Sequence, residues 1–218
     1  MWQKLKCFGR SPFFNNLHYA SNVYYKVKGV VIYRQIFQKF GTGSCIRRPM
    51  LILNPQFVSI GKRVSVRDGI RLEVVRSNDR RIPRLVIDND TNIEQNVHIV
   101  CHSSVHIGRN VSITGNCSIV DVTHPFEDVD DPEKIGVRIR DEDSFVEIGD
   151  GCFIGFGSVI LPNVRIGKCV VIGANSVVTH DIADYSVAAG APAVVLKRYD
   201  FTKRVWVTMS KGTSSQTP

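Results

Sequence analysis

The sequence predicts an all-β chain built as a parallel β-helix of six-residue repeats, led by a helical N-terminal segment and interrupted by one protruding loop. Three observations carry that expectation. An aliphatic residue recurs every six positions over much of the chain, glycine or asparagine punctuates the hexads, and the repeat breaks off at residues 121–147 before resuming.

The hexads are clearest at Ile148, Ile154, Ile160, Ile166, Ile172 and Val178, with Gly149, Gly155, Gly167 and Gly173 following their aliphatic neighbours. The same step joins Ile60, Val66 and Leu72, then Ile87, Ile93 and Ile99, then Ile107, Ile113 and Ile119, with slips between the blocks. A period of six fits neither the 3.6 of a helix nor the 2 of a free strand. It fits short strands joined by tight turns, three to a coil of about 18 residues, with coils stacked about 4.8 Å apart. The aliphatic residue of each hexad then points into a prism-shaped core. Four positions later comes a small or β-branched filler: Cys152, Ser158, Val164, Val170 and Ser176. One coil cannot bury its core alone, so stability rests on neighbouring coils and on caps.

Three regions follow: a basic, aromatic segment over 1–43, the β-helix over 44–196 with its loop at 121–147, and a C-terminal extension over 197–218. The tail after Phe201, ending KGTSSQTP, reads as disordered. More than half of the chain's aromatic residues lie in residues 1–40, interleaved with Lys and Arg. Ala20, Val23, Val27 and Val30, then Tyr33, Ile36, Phe37 and Phe40, fall at helical spacing, which predicts a helix over 16–40 interrupted at Gly29. Such a helix either lies in a lipid interface or packs across the first coil as a cap.

Charge is segregated. The formal net charge is +8, yet residues 1–67 hold 12 Lys and Arg and no Asp or Glu, and acidic residues outnumber basic ones beyond them. A basic end implies an anionic partner, either a membrane surface or a polyanionic substrate. Nucleic acid is not expected, because no zinc-finger, homeodomain or aromatic RNA-binding pattern is present. No window approaches the roughly 18 uninterrupted apolar residues of a membrane span, and the N-terminus lacks the features of a secretory signal. The expected location is the cytoplasm, with residues 1–40 able to hold the chain at the inner membrane face. The cysteines, Cys7, Cys45, Cys101, Cys117, Cys152 and Cys169, show no CxxC or metal-finger spacing and are expected as small buried side chains.

Two breaks in the repeat are candidate site loops. Residues 76–84 (RSNDRRIPR) read as a solvated insertion. Residues 121–147 form the longer one, rich in Asp and Glu around Lys134, Arg138 and Arg140, and open on DVTHPF. A histidine held at the exit of a coil, His124, is a suitable general base, since histidine titrates near neutrality. Its second ring nitrogen needs an orienting partner; Asp121, Glu127 and a backbone carbonyl all qualify. His106, about one coil before His124, either stacks on it or is exposed. His98, His102 and His106 are spaced by four, which gathers ligands on a helix and not on β-helix flanks, so no metal is expected.

With these motifs the sequence resembles the hexapeptide-repeat acetyltransferases, in particular the galactoside and maltose O-acetyltransferases and those of polysaccharide biosynthesis. The resemblance covers about residues 44–196 and is most specific in FIGFG, IGAN, VTHD and AAGAP (Ala188 to Pro192). It implies a left-handed helix, a homotrimer, acetyl-coenzyme A as donor and a sugar hydroxyl as acceptor, in surface polysaccharide or lipopolysaccharide biosynthesis. His124 matches the family's catalytic histidine. The acceptor-binding positions fall on Glu94 and His102, where sugar acetyltransferases carry Asn and Asp, with Asp121 beside them. The coenzyme positions are Gly155, Phe156, Ala174, Thr179, His180 and Lys197, with a backbone N–H near Gly155–Phe156 for the oxyanion. His180 stands where the family has Lys, and Val194 where it has Lys or Arg. Competing readings are an N-acetyltransferase of an amino sugar, a metal hydratase like the γ-class carbonic anhydrases, and a silent β-solenoid scaffold.

Overall fold

The hexads stack as three-stranded coils in a computed structural model that describes residues 12–76, 82–140 and 142–209, with side chains described from residue 20. The first coil is β1 (Lys39–Phe40), β2 (Cys45–Ile46) and β3 (Leu51–Leu53); the second is β4 (Val58–Ile60), β5 (Ser65–Val66) and β6 (Arg71–Val74). The third is β7 (Arg84–Ile87), β8 (Asn92–Ile93) and β9 (His98–Cys101), and the fourth β10 (Ser104–Ile107), β11 (Ser112–Ile113) and β12 (Ser118–Val120). After the excursion come β13 (Phe145–Ile148), β14 (Phe153–Ile154) and β15 (Val159–Ile160), then β16 (Val164–Ile166), β17 (Val171–Ile172) and β18 (Val177–Val178). β19 (Ser186–Gly190) starts a partial coil, and the hairpin of β20 (Ala193–Asp200) and β21 (Val205–Thr208) follows.

Every third strand joins the same flank, which gives three sheets of parallel strands: β1-β4-β7-β10-β13-β16, β2-β5-β8-β11-β14-β17-β19 and β3-β6-β9-β12-β15-β18. β20 and β21 extend the second flank antiparallel. The register is set by the aliphatic residue of each hexad. Ile107 pairs with Ile148, Ile113 with Ile154 and Ile119 with Ile160, so the coils resume across the excursion without a slip. These residues have no exposed surface or almost none. They form the dry ladders that supply the main stabilising term.

The fillers do more than occupy space. Thr91 Oγ1 donates to Gly108 O at 2.8 Å, Ser158 Oγ to Gly173 O at 2.9 Å and Cys152 Sγ to Gly167 O at 2.9 Å, so each pins a corner to a neighbouring stretch. Burial pushes the Cys152 thiol up to about 11 and raises those of Cys101 and Cys117, which keeps all three protonated and unreactive. Cys169 is exposed at a corner instead. Corners take left-handed residues, among them Asn96, Asn110, Asn116, Asn163 and Asn175, which tolerate that conformation better than most side chains.

The chain ends depart from expectation. The helix runs as α1 (Pro12–Lys28), a π-helical turn Gly29–Tyr33 and α2 (Arg34–Ile36), so it changes at Gly29 as expected but stops before 40. The first coil begins at Lys39, ahead of residue 44, because Lys39 and Phe40 already pair with Ser59 and Ile60. Tyr33, Phe37 and Phe40 pack ring on ring, with centroids 5.4–5.5 Å apart, and close the end of the core. The excursion ends at Ser144, since Phe145 already belongs to β13. A boundary at residue 197 would cut β20. The stretch after Phe201 is not disordered throughout: β21 pairs with β20, and Tyr199, with Trp206 and Phe201 as ring partners, anchors it. Residues 1–11, 77–81 and 210–218, which include Cys7, most of the RSNDRRIPR break and the KGTSSQTP tail, lie outside the described residues.

Candidate active site

Where β12 ends and the excursion leaves, Asp121 is fully buried. Its carboxylate accepts the backbone N–H groups of His102 at 2.5 Å, Ser103 at 2.8 Å and Ser104 at 2.7 Å, which form the turn between β9 and β10. Burial pushes the Asp121 carboxyl up, while those donors and the neighbouring His102 pull it down. The three donors match a carboxylate and leave no acceptor for a hydroxyl proton, so the ionised form is the one this turn is built around. Asp121 therefore touches neither substrate nor His124, and its expected roles are corrected to that of a corner brace. His102 is 3% exposed beside it, which leaves no usable surface for an acceptor and corrects that assignment too.

His124 is exposed, with Nδ1 2.8 Å from the carbonyl oxygen of Arg138. A carbonyl only accepts, so Nδ1 carries the proton and Nε2 keeps the lone pair. Of the three candidate orienting partners, the structure selects the backbone carbonyl. Glu127 is engaged elsewhere: it pairs with Arg140 and accepts the Phe126 N–H at 2.9 Å. Its carboxyl is held below the usual range by backbone N–H donors, its own first, and by Arg140.

Arg138 is the residue that the sequence reading missed. Its guanidinium donates to the carbonyls of Glu133 (2.8 Å), Asp128 (3.0 Å) and Asp131 (2.6 Å), and pairs with the Asp131 carboxylate at 3.1 Å. The excursion thus winds around one side chain whose own carbonyl fixes the histidine. Arg140 N donates to Thr123 O at 3.2 Å and closes the base of the loop. A cavity of about 550 Å³ lies inside, lined among others by Pro125, Glu127, Asp128, Asp131 and Arg138. Its rim carries the residue after His124 and the residue that holds it.

Three of the coenzyme candidates, Gly155, Phe156 and Ala174, fall on the opposite edge of the third flank. At the corner between the second and third flanks, Phe156 is about half exposed and packs its ring over Gly115, while Ala174 is exposed one coil further on. Only glycine fits on either side of Phe156. A Cβ on Gly155 would sit 2.5 Å from Ala174 N, and Gly157 has φ +70° with Asn175 Oδ1 2.4 Å from any Cβ. The amide N–H groups of Phe156 and Ala174 meet no acceptor among the described residues. Such a cradle of close-approach glycines and free donors fits an amide-rich chain such as pantetheine and a developing oxyanion.

The other candidates are scattered. Thr179 Oγ1 lies 2.7 Å from His180 Nδ1 past the end of β18, and Lys197 is exposed on β20, paired with Val187. Glu94 sits in the corner column with Thr114 and Gly155, near Phe156 and not near the excursion, with Arg67 at 3.7 Å. His106 faces Asp88 at 3.0 Å on the first flank, an exposed pair, so exposure and not stacking describes it. Among the described residues, no three His, Cys, Asp or Glu side chains gather as a ligand set.

Stacked coils with Ile-Gly corners and a histidine-bearing excursion define a hexapeptide-repeat transferase. The family described as Bacterial transferase hexapeptide (six repeats) matches residues 145–180. WbbJ of Escherichia coli K12, which bears the provisional name lipopolysaccharide biosynthesis O-acetyl transferase, is 34% identical over 167 residues, covering 74% of this chain and 82% of WbbJ. A galactoside O-acetyltransferase of Lactococcus lactis is 36% identical over 118 residues, 50% of this chain and 55% of that enzyme. AntD, an N-acyltransferase from Bacillus cereus solved with dTDP and 3-hydroxybutyryl-CoA, shares the fold with a TM-score of 0.63 over 78% of this chain and 87% of its own, at 20% identity. The chain belongs to the hexapeptide-repeat acetyltransferases, and its β-helix is left-handed.

Proposed function

We propose that the chain transfers the acetyl group of acetyl-coenzyme A to a hydroxyl of a sugar, in the assembly of a surface polysaccharide or lipopolysaccharide. The observation that carries this reading is the orientation of His124, with Nδ1 on the Arg138 carbonyl and Nε2 free to accept a proton. The names of WbbJ and of the galactoside enzyme supply the acceptor class. Nε2 takes the hydroxyl proton as the sugar oxygen attacks the thioester carbonyl. The N–H groups of the Phe156 corner meet the charge that develops on the carbonyl oxygen. On collapse, the carbon–sulfur bond breaks, and the imidazolium returns its proton to the leaving thiolate. No enzyme nucleophile and no metal enters this sequence.

His124 and the Phe156 corner stand at opposite edges of the third flank, so a homotrimer, in which one subunit's corner faces another's excursion, is the working unit of this proposal. Gly155, Phe156, Ala174, Thr179, His180 and Lys197 would then line the coenzyme path, with Glu94 on the acceptor side. The test is thiol release from acetyl-coenzyme A over a panel of sugars and glycan extracts, with wild type against His124→Ala. The expected result is acceptor-dependent release, lower by about 10²–10⁴-fold in the variant. Full turnover by His124→Ala would remove the histidine from the mechanism, and a monomer by sedimentation would remove the shared site. Product linkage separates O- from N-acetylation.

A further inference from the structure

The outward side of the N-terminal helix is built unlike a solvated surface. Its inner side buries Gly29, Tyr33 and Phe37 against the end of the core. A solvent-facing side is normally polar. Here Val23, Val27, Val30 and Val31 are between 42% and 56% exposed, with Tyr24 and Ile36 exposed beside them. The charged residues among them, Lys26 and Arg34, are basic and exposed. The helix is also held firmly. Arg47 reaches Ser21 Oγ at 3.5 Å and lies over the Tyr25 ring at 5.3 Å, which ties α1 to the first coil. Gly29 lets it approach so closely that a Cβ there would stand 2.8 Å from Phe40 Cε1. The apolar stripe is therefore presented on a fixed platform.

We propose that this face docks in the plane of an anionic lipid bilayer, with the valines in the acyl boundary and the basic residues at the headgroups. Charge selects the occupant. Residues 1–67 contain no Asp or Glu, so the same helix of a second copy would bring like charges together, whereas anionic headgroups complement them. The helix lies on the bilayer and does not cross it: no helix among the described residues is long and apolar enough to span one. This inference is independent of the acetyl-transfer reading.

The test is co-flotation of the purified full-length chain with phosphatidylcholine vesicles, with and without phosphatidylglycerol. Binding is expected on the anionic vesicles and is expected to weaken as salt is raised. Lys26→Gln should lower the partition coefficient about fivefold, and the double variant Val23→Glu/Val27→Glu about tenfold or more. Circular dichroism confirms that both variants fold. Equal binding to neutral vesicles, no binding at all, or binding untouched by the double variant would overturn the proposal. So would a double variant that changes the sedimentation coefficient of the chain without lipid, since that would make the stripe a contact between subunits.

Discussion

The stacked coils and the excursion at 121–144 solve one problem, the pairing of backbone polar groups, in opposite ways. In the strands of the coils N–H and C=O groups find partners one rung away, and the arrangement repeats with the hexads. In the excursion, the carbonyls of Asp128, Asp131 and Glu133 are satisfied by the side chain of Arg138. The first solution is distributed and tolerates local damage. The second is concentrated in one residue, so the excursion is expected to fail separately from the scaffold that carries it.

The sharpest way to break the contrast is to cut into a rung. Ile119→Ala removes a fully buried side chain from the ladder next to the excursion, and should cost about 2–5 kcal/mol of global stability, read by denaturant unfolding. Asp121→Asn tests the joint between the two regions. The amide keeps one acceptor oxygen but sets an NH₂ against the N–H groups of Ser103 and Ser104, for a loss of about 3 kcal/mol. Arg138→Ala should leave the coils standing, with turnover down by about 10²-fold through a misplaced His124. Arg138→Lys should not restore it, since an ammonium cannot span three carbonyls. A thermal midpoint that falls as far as in Ile119→Ala would show the excursion to be part of the folding unit.

The smallest effect is one of pH. Burial, and then the charge of Arg71, lowers the pKa of His98 on β9, with Glu73 acting the other way. A depressed histidine is neutral in the folded chain, so its contribution is present above the unfolded value near 6.5 and is lost as pH falls through the folded value. The thermal midpoint should drop on acidification below about pH 6.5, and His98→Gln should flatten that part of the curve. An unchanged curve would exclude His98 as the titrating group.

How much could be read beforehand follows the same division. Periodicity reports the coils, so Ile148 to Val178, the filler positions and the asparagine corners were legible in the sequence. Corners held by Arg63, Cys169 and Tyr185, all with φ near +50°, were not, because such residues carry no turn signal. The excursion announced itself by breaking the repeat, with His124 near its start. Side-chain bonds to backbone have no period, which is why Asp121 was read as a site residue when it braces a corner. Arg138 looked like one cation among many acids for the same reason. The apolar outer face of α1 was half legible: helical spacing gave the helix, while only packing against Phe40 shows which side faces away.

A β-helix grows only by whole coils, and that makes it a graduated spacer. The excursion leaves the fourth coil, three rungs from the helix-capped end, a height of about 14 Å at the usual strand spacing. An added coil below β10 would lift His124 by about 4.8 Å and leave its immediate surroundings unchanged. Chain length in the lower coils thus sets how far the excursion and its histidine stand from the helix-capped end, a distance fixed by counting rungs instead of by contact.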